Sequence, residues 1–287
     1  MNENLVDRCV AIVGLGLMGG SYAKALKRRG VKRILAFDAD QRTLENGLAD
    51  GCVDEIYTTG GTVLRDAALI IFCTPAAAMC RFIKANAAHF SPHVVITDIA
   101  GIKGNLAVAV KPYLGDGMDF VAGHPMAGCE GQGYGRSRAD IFDGANYILI
   151  PTPDNKGENI DAIAAMAKDL GCARVACVTA AEHDRLIAYT SNLPHVLATA
   201  LINCEAMDEA TKYFIAGSFR DGTRVANINA PLWRDLLLSN RENVLHEITA
   251  FQQTLGHFAK LLEAKDGARL KAFLEEASRR RRDLLHE

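Results

Sequence analysis

In the first half of the chain, short runs of consecutive apolar residues alternate with longer stretches whose apolar positions recur every three or four residues. CVAIVG (9–14) ends in glycine and leads into MGGSYAKALKRRG (18–30), whose spacing predicts a helix closed by Gly30. RILAFD (33–38) and DQRTLENGLADG (40–51) repeat the strand-then-helix pattern. ALIIFCTP (68–75), VVITDI (94–99), DFVAGH (119–124) and NYILIPT (146–152) continue it, and a helix over 158–170 with a strand RVACVT (174–179) closes the series. Runs that are apolar throughout belong to strands buried on both faces, so the pattern predicts a mainly parallel, doubly wound α/β sheet over residues 1–179.

After about residue 180 the strand-like runs stop. Long amphipathic stretches at 182–207, 231–263 and 268–285 predict an all-helical second domain over 180–287. These stretches run almost to residue 287, so no appended regulatory domain is expected.

Composition narrows the function classes. Hydrophobic residues make up 49% and charged residues 23% of 287, which supplies a core and excludes wholesale disorder. Lys and Arg total 32 against 34 Asp and Glu, and a net charge of −2 argues against a nucleic-acid coat. The one basic run, Arg279 to Arg282, reads as a solvated helix face. MNENLVDRCV does not resemble a signal peptide, and no apolar run approaches the roughly 20 residues of a membrane span. Eight cysteines without a CxxC pair or zinc-like spacing suit a reducing cytoplasm, most of them as small buried hydrophobes, and no metal site is expected.

Gly14-Leu15-Gly16-Leu17-Met18-Gly19 fits GxGxxG between a predicted strand and a predicted helix, the context in which that pattern binds a dinucleotide. Gly14 serves the tight turn, Gly16 lets backbone approach a pyrophosphate, and Gly19 allows close helix–strand packing. The helix start points amides and a partial positive charge at the phosphates. Asp38, at the end of the second strand, is placed to accept from the adenosine ribose and to repel a 2′-phosphate, favouring NAD over NADP; nearby Arg42 weakens that preference. Together these predict a Rossmann-type NAD-binding domain. Thr74-Pro75 and the stretch from Asp98 to Lys103 fall at strand carboxyl ends, the ligand-binding edge of such sheets, as does His124 between Gly123 and Pro125.

The chain resembles the prephenate dehydrogenase family, including its arogenate-using members. The resemblance rests on GLGLMGGS (14–21), TDIAGIKG (97–104), GHPMAGCE (123–130), EHDRLIAYTSNLPH (182–195), and GSFRDGTRVA with PLWRD (217–235). It implies a helical domain that pairs two subunits, and oxidative decarboxylation of a cyclohexadienol with NAD on the route to tyrosine. The family's catalytic histidine falls on His124, and a neutral imidazole suits a base near pH 7. The family's carboxylate-binding arginine falls on Arg224, whose planar fork suits a carboxylate. Trp233 and the backbone around Gly217 match substrate-pocket positions. Two positions depart: Gly101 stands where many members have a serine that helps hold the C4 hydroxyl, and Asn192 stands second in SNLPH (191–195) where many have histidine.

Other candidates read more plainly. His195 orients neighbours or touches substrate, and His183 with Asp184 reads as the polar start of a helix. Arg220 and Arg234 read as ion pairs with the aspartates that follow them. A β-hydroxyacid dehydrogenase would share Lys103 but not GHPMAG or FRDxTR, and a catalytically silent nucleotide sensor finds support only in Gly101. The sequence does not separate prephenate from arogenate, which differ by a keto group against an ammonium.

Overall fold

A computed structural model describes residues 6–129 and 131–285; Glu130, which ends GHPMAGCE, and His286 lie outside them. The chain divides into two compact units, Met1–Asp184 and Arg185–Glu287.

The first unit carries a parallel sheet of β1 (Cys9–Val13), β2 (Arg33–Phe37), β3 (Glu55–Tyr57), β4 (Ala67–Phe72), β5 (Val95–Asp98) and β6 (Asp119–Phe120), in the order 3-2-1-4-5-6. Its apolar runs are uninterrupted because successive side chains enter opposite cores. Val10 and Ile12 pack with Ile34, Ala36 and Ile71 on one face, while Ala11 and Val13 pack with Leu35, Phe37 and Phe72 on the other. Helices Leu17–Arg28, Gln41–Ala49 and Ala76–Asn86 follow β1, β2 and β4. Asp40 caps the second of these by accepting from the Arg42 amide. The edge strand β3 escapes the pattern analysis because it has only three residues, all half-buried.

The run DFVAGH does not form one strand. Asp119–Phe120 completes the parallel sheet, and the chain then enters a three-stranded sheet of β7 (Ala122–Pro125), β8 (Asn146–Ile150) and β9 (Arg174–Cys177), with β7 antiparallel and β9 parallel to β8. The parallel ladder stops because side chains take over at Gly123. Its amide donates to Asp98 Oδ1 at 3.2 Å and its carbonyl accepts from Lys103 Nζ at 2.6 Å. Of the runs 119–124, 146–152 and 174–179, only Asp119–Phe120 therefore extends the main sheet.

All regular elements among the described residues of the second unit are helical. The run opens with Ala180–Ile187, whose first residues belong to the first unit, and continues through a π-turn Ala188–Asn192 into Leu193–Ile202. Pro194 has no amide to donate, so a regular α-helical ladder cannot pass through it unbroken. Helices Gly217–Thr223, Ala230–Ser239, Arg241–Glu263 and Gly267–Leu285 follow. The stretch expected as one helix over 231–263 breaks at Asn240, which is buried and held by a side-chain hydrogen bond.

All eight cysteines are free, but only Cys9, Cys52 and Cys172 are buried, with Cys73 and Cys80 half-buried and Cys129, Cys177 and Cys204 exposed, so the buried-hydrophobe expectation fails for most of them. Arg279 and Arg280 lie on the exposed terminal helix and pair with Glu276, and Arg279 also with Asp283. No helix among the described residues is long and apolar enough to cross a membrane.

Candidate active site

The glycine turn follows β1 at the point where the strand order reverses between β1 and β4. Gly14 has φ +91°, and a Cβ there would meet the Thr74 side chain and the Cys73 carbonyl at 2.7 and 2.8 Å. A Cβ on Gly19 would collide with the Gly14 carbonyl oxygen, so the helix could not approach the strand so closely. Gly16 differs: a Cβ would meet nothing within 4 Å, and packing does not explain the glycine. A group from outside the protein, approaching the backbone there, does.

Gly16 is the N-cap of helix Leu17–Arg28 and supplies no side-chain cap, so the first-turn amides of Leu17, Met18 and Gly19 face the turn without one. Asp38 follows β2 and accepts from the Leu15 amide at 2.7 Å and the Asp40 amide at 3.0 Å. The Leu15 amide is thus spent on Asp38 and is not offered to a phosphate. Thr74 Oγ1, next to Gly14, is buried without a hydrogen-bond partner among the described residues. Pro75 is exposed and begins helix Ala76–Asn86 as its N-cap. An open glycine, an uncapped helix start, a carboxylate at the β2 end and an orphaned hydroxyl fit a dinucleotide.

Asp98 is placed differently from the expected cofactor contact. It is 1% exposed and accepts from Lys103 Nζ at 2.7 Å, the Ala100 amide at 2.8 Å and the Gly123 amide. Lys103, also 1% exposed in its side chain, is pushed down in pKa by burial against the pull of Asp98. The pair clamps the end of β5 to the residue before His124. Gly101 sits in the turn between them, half-buried.

His124 lies within β7, opposite Ile148 of β8. Its ring pKa is held well below 6.5, first by burial and then by the nearby Lys103 charge. That shift favours the neutral imidazole. His124 Nδ1 lies 2.8 Å from His183 Nε2, and His183 Nδ1 lies 2.7 Å from Asp184 Oδ1. The two Asp184 oxygens also accept from the Lys103 amide at 2.8 Å and the Gly104 amide at 2.6 Å. Burial alone would raise the Asp184 carboxyl, but these donors hold it below its ordinary value. The helix-start interpretation misses this pair. No local signal marks it: β9 runs antiparallel to β7, and His183 reaches His124 only through the fold.

The second unit holds the remaining candidates. Asn192 is buried, and its Oδ1 accepts from Asn240 Nδ2 at 3.0 Å, so its amide serves the helix break at Asn240. His195 Nδ1 donates to the Ser191 carbonyl at 2.8 Å, and its ring stacks on Trp233 with centroids 3.7 Å apart. Burial lowers the His195 pKa, against the Ser191 carbonyl. Arg224 opens the short turn Arg224–Ala226 and is exposed, as is Gly217 at the start of helix Gly217–Thr223. Arg234 pairs with Asp235 at 2.8 Å.

Residues 22–176 match the nucleotide-binding domain of prephenate dehydrogenase, and residues 179–276 match its dimerization domain. The cyclohexadienyl dehydrogenase of Zymomonas mobilis is 30% identical over 96% of this chain and 96% of its own. The crystal structure of A. aeolicus prephenate dehydrogenase, in complex with hydroxyphenyl propionate and NAD+, superposes with a TM-score of 0.89 at 29% identity, over 96% of this chain and 98% of that one. Synechocystis arogenate dehydrogenase gives 0.83 at 27% identity, over 96% and 99%. With its glycine turn, its half-buried histidine in β7 and matches that run from residue 22 to residue 276, this chain belongs to the prephenate dehydrogenase family.

Proposed function

We propose that the protein is an NAD-dependent prephenate dehydrogenase, converting prephenate to 4-hydroxyphenylpyruvate and CO2 in the formation of tyrosine. The observation that carries this reading is His124, half-buried in β7 with Nδ1 against His183, in a chain whose family matches span both units. His124 accepts the proton of the C4 hydroxyl, which strengthens the push of electrons from that oxygen into the ring carbon. NAD, when bound, supplies the acceptor for the hydride that leaves C4. The bond from the ring to its carboxylate then breaks, its electron pair completes the aromatic ring, CO2 departs, and the ring oxygen regains a proton. Arg224 takes a substrate carboxylate through its guanidinium fork. The glycine turn, the helix start at Leu17, Thr74 and Asp38 hold the dinucleotide.

Purified protein assayed with prephenate and arogenate, each with NAD and NADP, is expected to turn over prephenate with NAD best. Faster turnover of arogenate would move the reading to an arogenate dehydrogenase, a possibility raised by the Synechocystis relative. Asp38→Ser should narrow or reverse the preference for NAD, because a carboxylate facing the 2′ position repels a phosphate there. The same change removes the acceptor of the Leu15 amide, so KM for NAD should also rise. Equal use of both cofactors by the unaltered protein would contradict the role given to Asp38.

The helical unit is proposed to pair two subunits. Among its described residues only Ile187, Ala188, Leu193, Ala198, Val244 and Leu261 are buried apolar side chains, while Phe214 is 84%, Tyr213 78% and Leu238 64% exposed. Apolar surface on this scale is a subunit interface left open in a single chain. Sedimentation at micromolar concentration should give a dimer, and a compact monomer would overturn this assignment.

A further inference from the structure

We infer that Asp184 and His183 are positioning residues that fix the tautomer of His124, leaving the lone pair on Nε2 to take the substrate proton. This rests on the proposal that His124 is the base, and goes beyond it by naming the nitrogen and what selects it. An ionised carboxylate can only accept, so the Asp184 Oδ1 contact at 2.7 Å requires the hydrogen of His183 to sit on Nδ1. Taken as neutral, which is part of this inference, His183 presents a lone pair at Nε2, 2.8 Å from His124 Nδ1. Two lone pairs cannot share so short a contact, so His124 carries its hydrogen on Nδ1. A neutral ring with hydrogen on Nδ1 has none on Nε2.

The geometry of the relay is not adjustable. His183 is buried, and Asp184 is held by the amides of Lys103 and Gly104 as well as by His183. No other hydrogen bond of the His124 ring is present among the described residues, so His183 is the group that chooses between its two neutral forms. The relay also acts during the reaction. Once Nε2 holds the proton, the Nδ1–H bond to His183 becomes charge-assisted, with the Asp184 carboxylate at its far end. Lys103, whose positive charge opposes protonation of His124, is already paired with Asp98. The arrangement favours a ring that is neutral at rest and tolerates a charge only when the proton comes from substrate.

The test reads the tautomer directly. In the intact protein with 15N-labelled histidine, without substrate at pH 8, NMR is expected to show His124 protonated at Nδ1 and unprotonated at Nε2, with the signals assigned from a His124→Gln spectrum. His183→Leu removes the acceptor and should shift His124 toward the opposite tautomer. Its kcat should fall about 10- to 150-fold, the worth of a hydrogen bond to a charged group, with KM values for substrate and NAD little changed. His183→Gln, whose side-chain oxygen can stand where Nε2 stood, should restore the tautomer and most of the rate. A hydrogen on Nε2 of His124 in the unaltered protein overturns the inference, whether or not the variants fold. So does a folded His183→Leu protein that keeps both the tautomer and the rate. Because the tautomer is read without substrate, inactivity toward prephenate would count against the proposed reaction and leave the relay standing.

Discussion

Replacing His124 with alanine is expected to lower kcat by roughly 10²- to 10⁴-fold, the range of general-base contributions. Substrate and NAD binding should change little, because the lost interaction strengthens only as the proton and hydride leave. The pH dependence follows from the direction of the ring's shift. Protonation removes the base, so kcat falls as pH falls. Burial, with the charge of Lys103, holds the ring below 6.5, so the acid limb of the unaltered enzyme should lie below the ordinary histidine range. The alanine variant should lose that limb. Arg224→Ala makes the contrast, since a carboxylate anchor acts in ground and transition states alike, and KM should rise more than kcat falls. A folded, NAD-binding His124→Ala protein with near-normal kcat would make His124 a packed residue and end the catalytic interpretation of GHPMAG.

The second large effect is on stability. Lys103 and Asp98 each have side chains 1% exposed, joined at 2.7 Å. Asp98→Ala leaves a buried ammonium without its counter-charge and frees the Gly123 amide from its acceptor. Breaking a buried pair from one side typically costs about 3–5 kcal/mol, and urea or guanidinium unfolding should show a loss of that size. Asp98→Ala combined with Lys103→Met should recover much of it, because an apolar replacement removes the unpaired charge. A single variant that loses less than about 1 kcal/mol, the net value of an ordinary hydrogen bond, would show that the clamp on Gly123 does not depend on this pair.

The sequence by itself determined whatever depends on neighbours a few residues away. β1 and β4 are legible because a strand buried on both faces needs apolar residues at every position, and the run records it. The glycine turn is legible because Gly14 takes a positive φ and Gly19 lies against the Gly14 carbonyl, both within the same strand–turn–helix unit. Helix Gln41–Ala49 begins where Asp40 can cap it. Only the tertiary structure decided which sheet a strand joins and which partner a buried polar group finds. DFVAGH has one local pattern whether it stays whole or divides, and it divides because Asp98 and Lys103 take both polar groups of Gly123. Asn192 finds its partner 48 residues away at the break between two helices, and His183 meets His124 across 59 residues. Periodicity and turn chemistry act over a few residues, but the cost of burying an imidazole or an amide is offset by whatever the fold brings beside it, and that is set by the packing of strands and helices far apart in the chain.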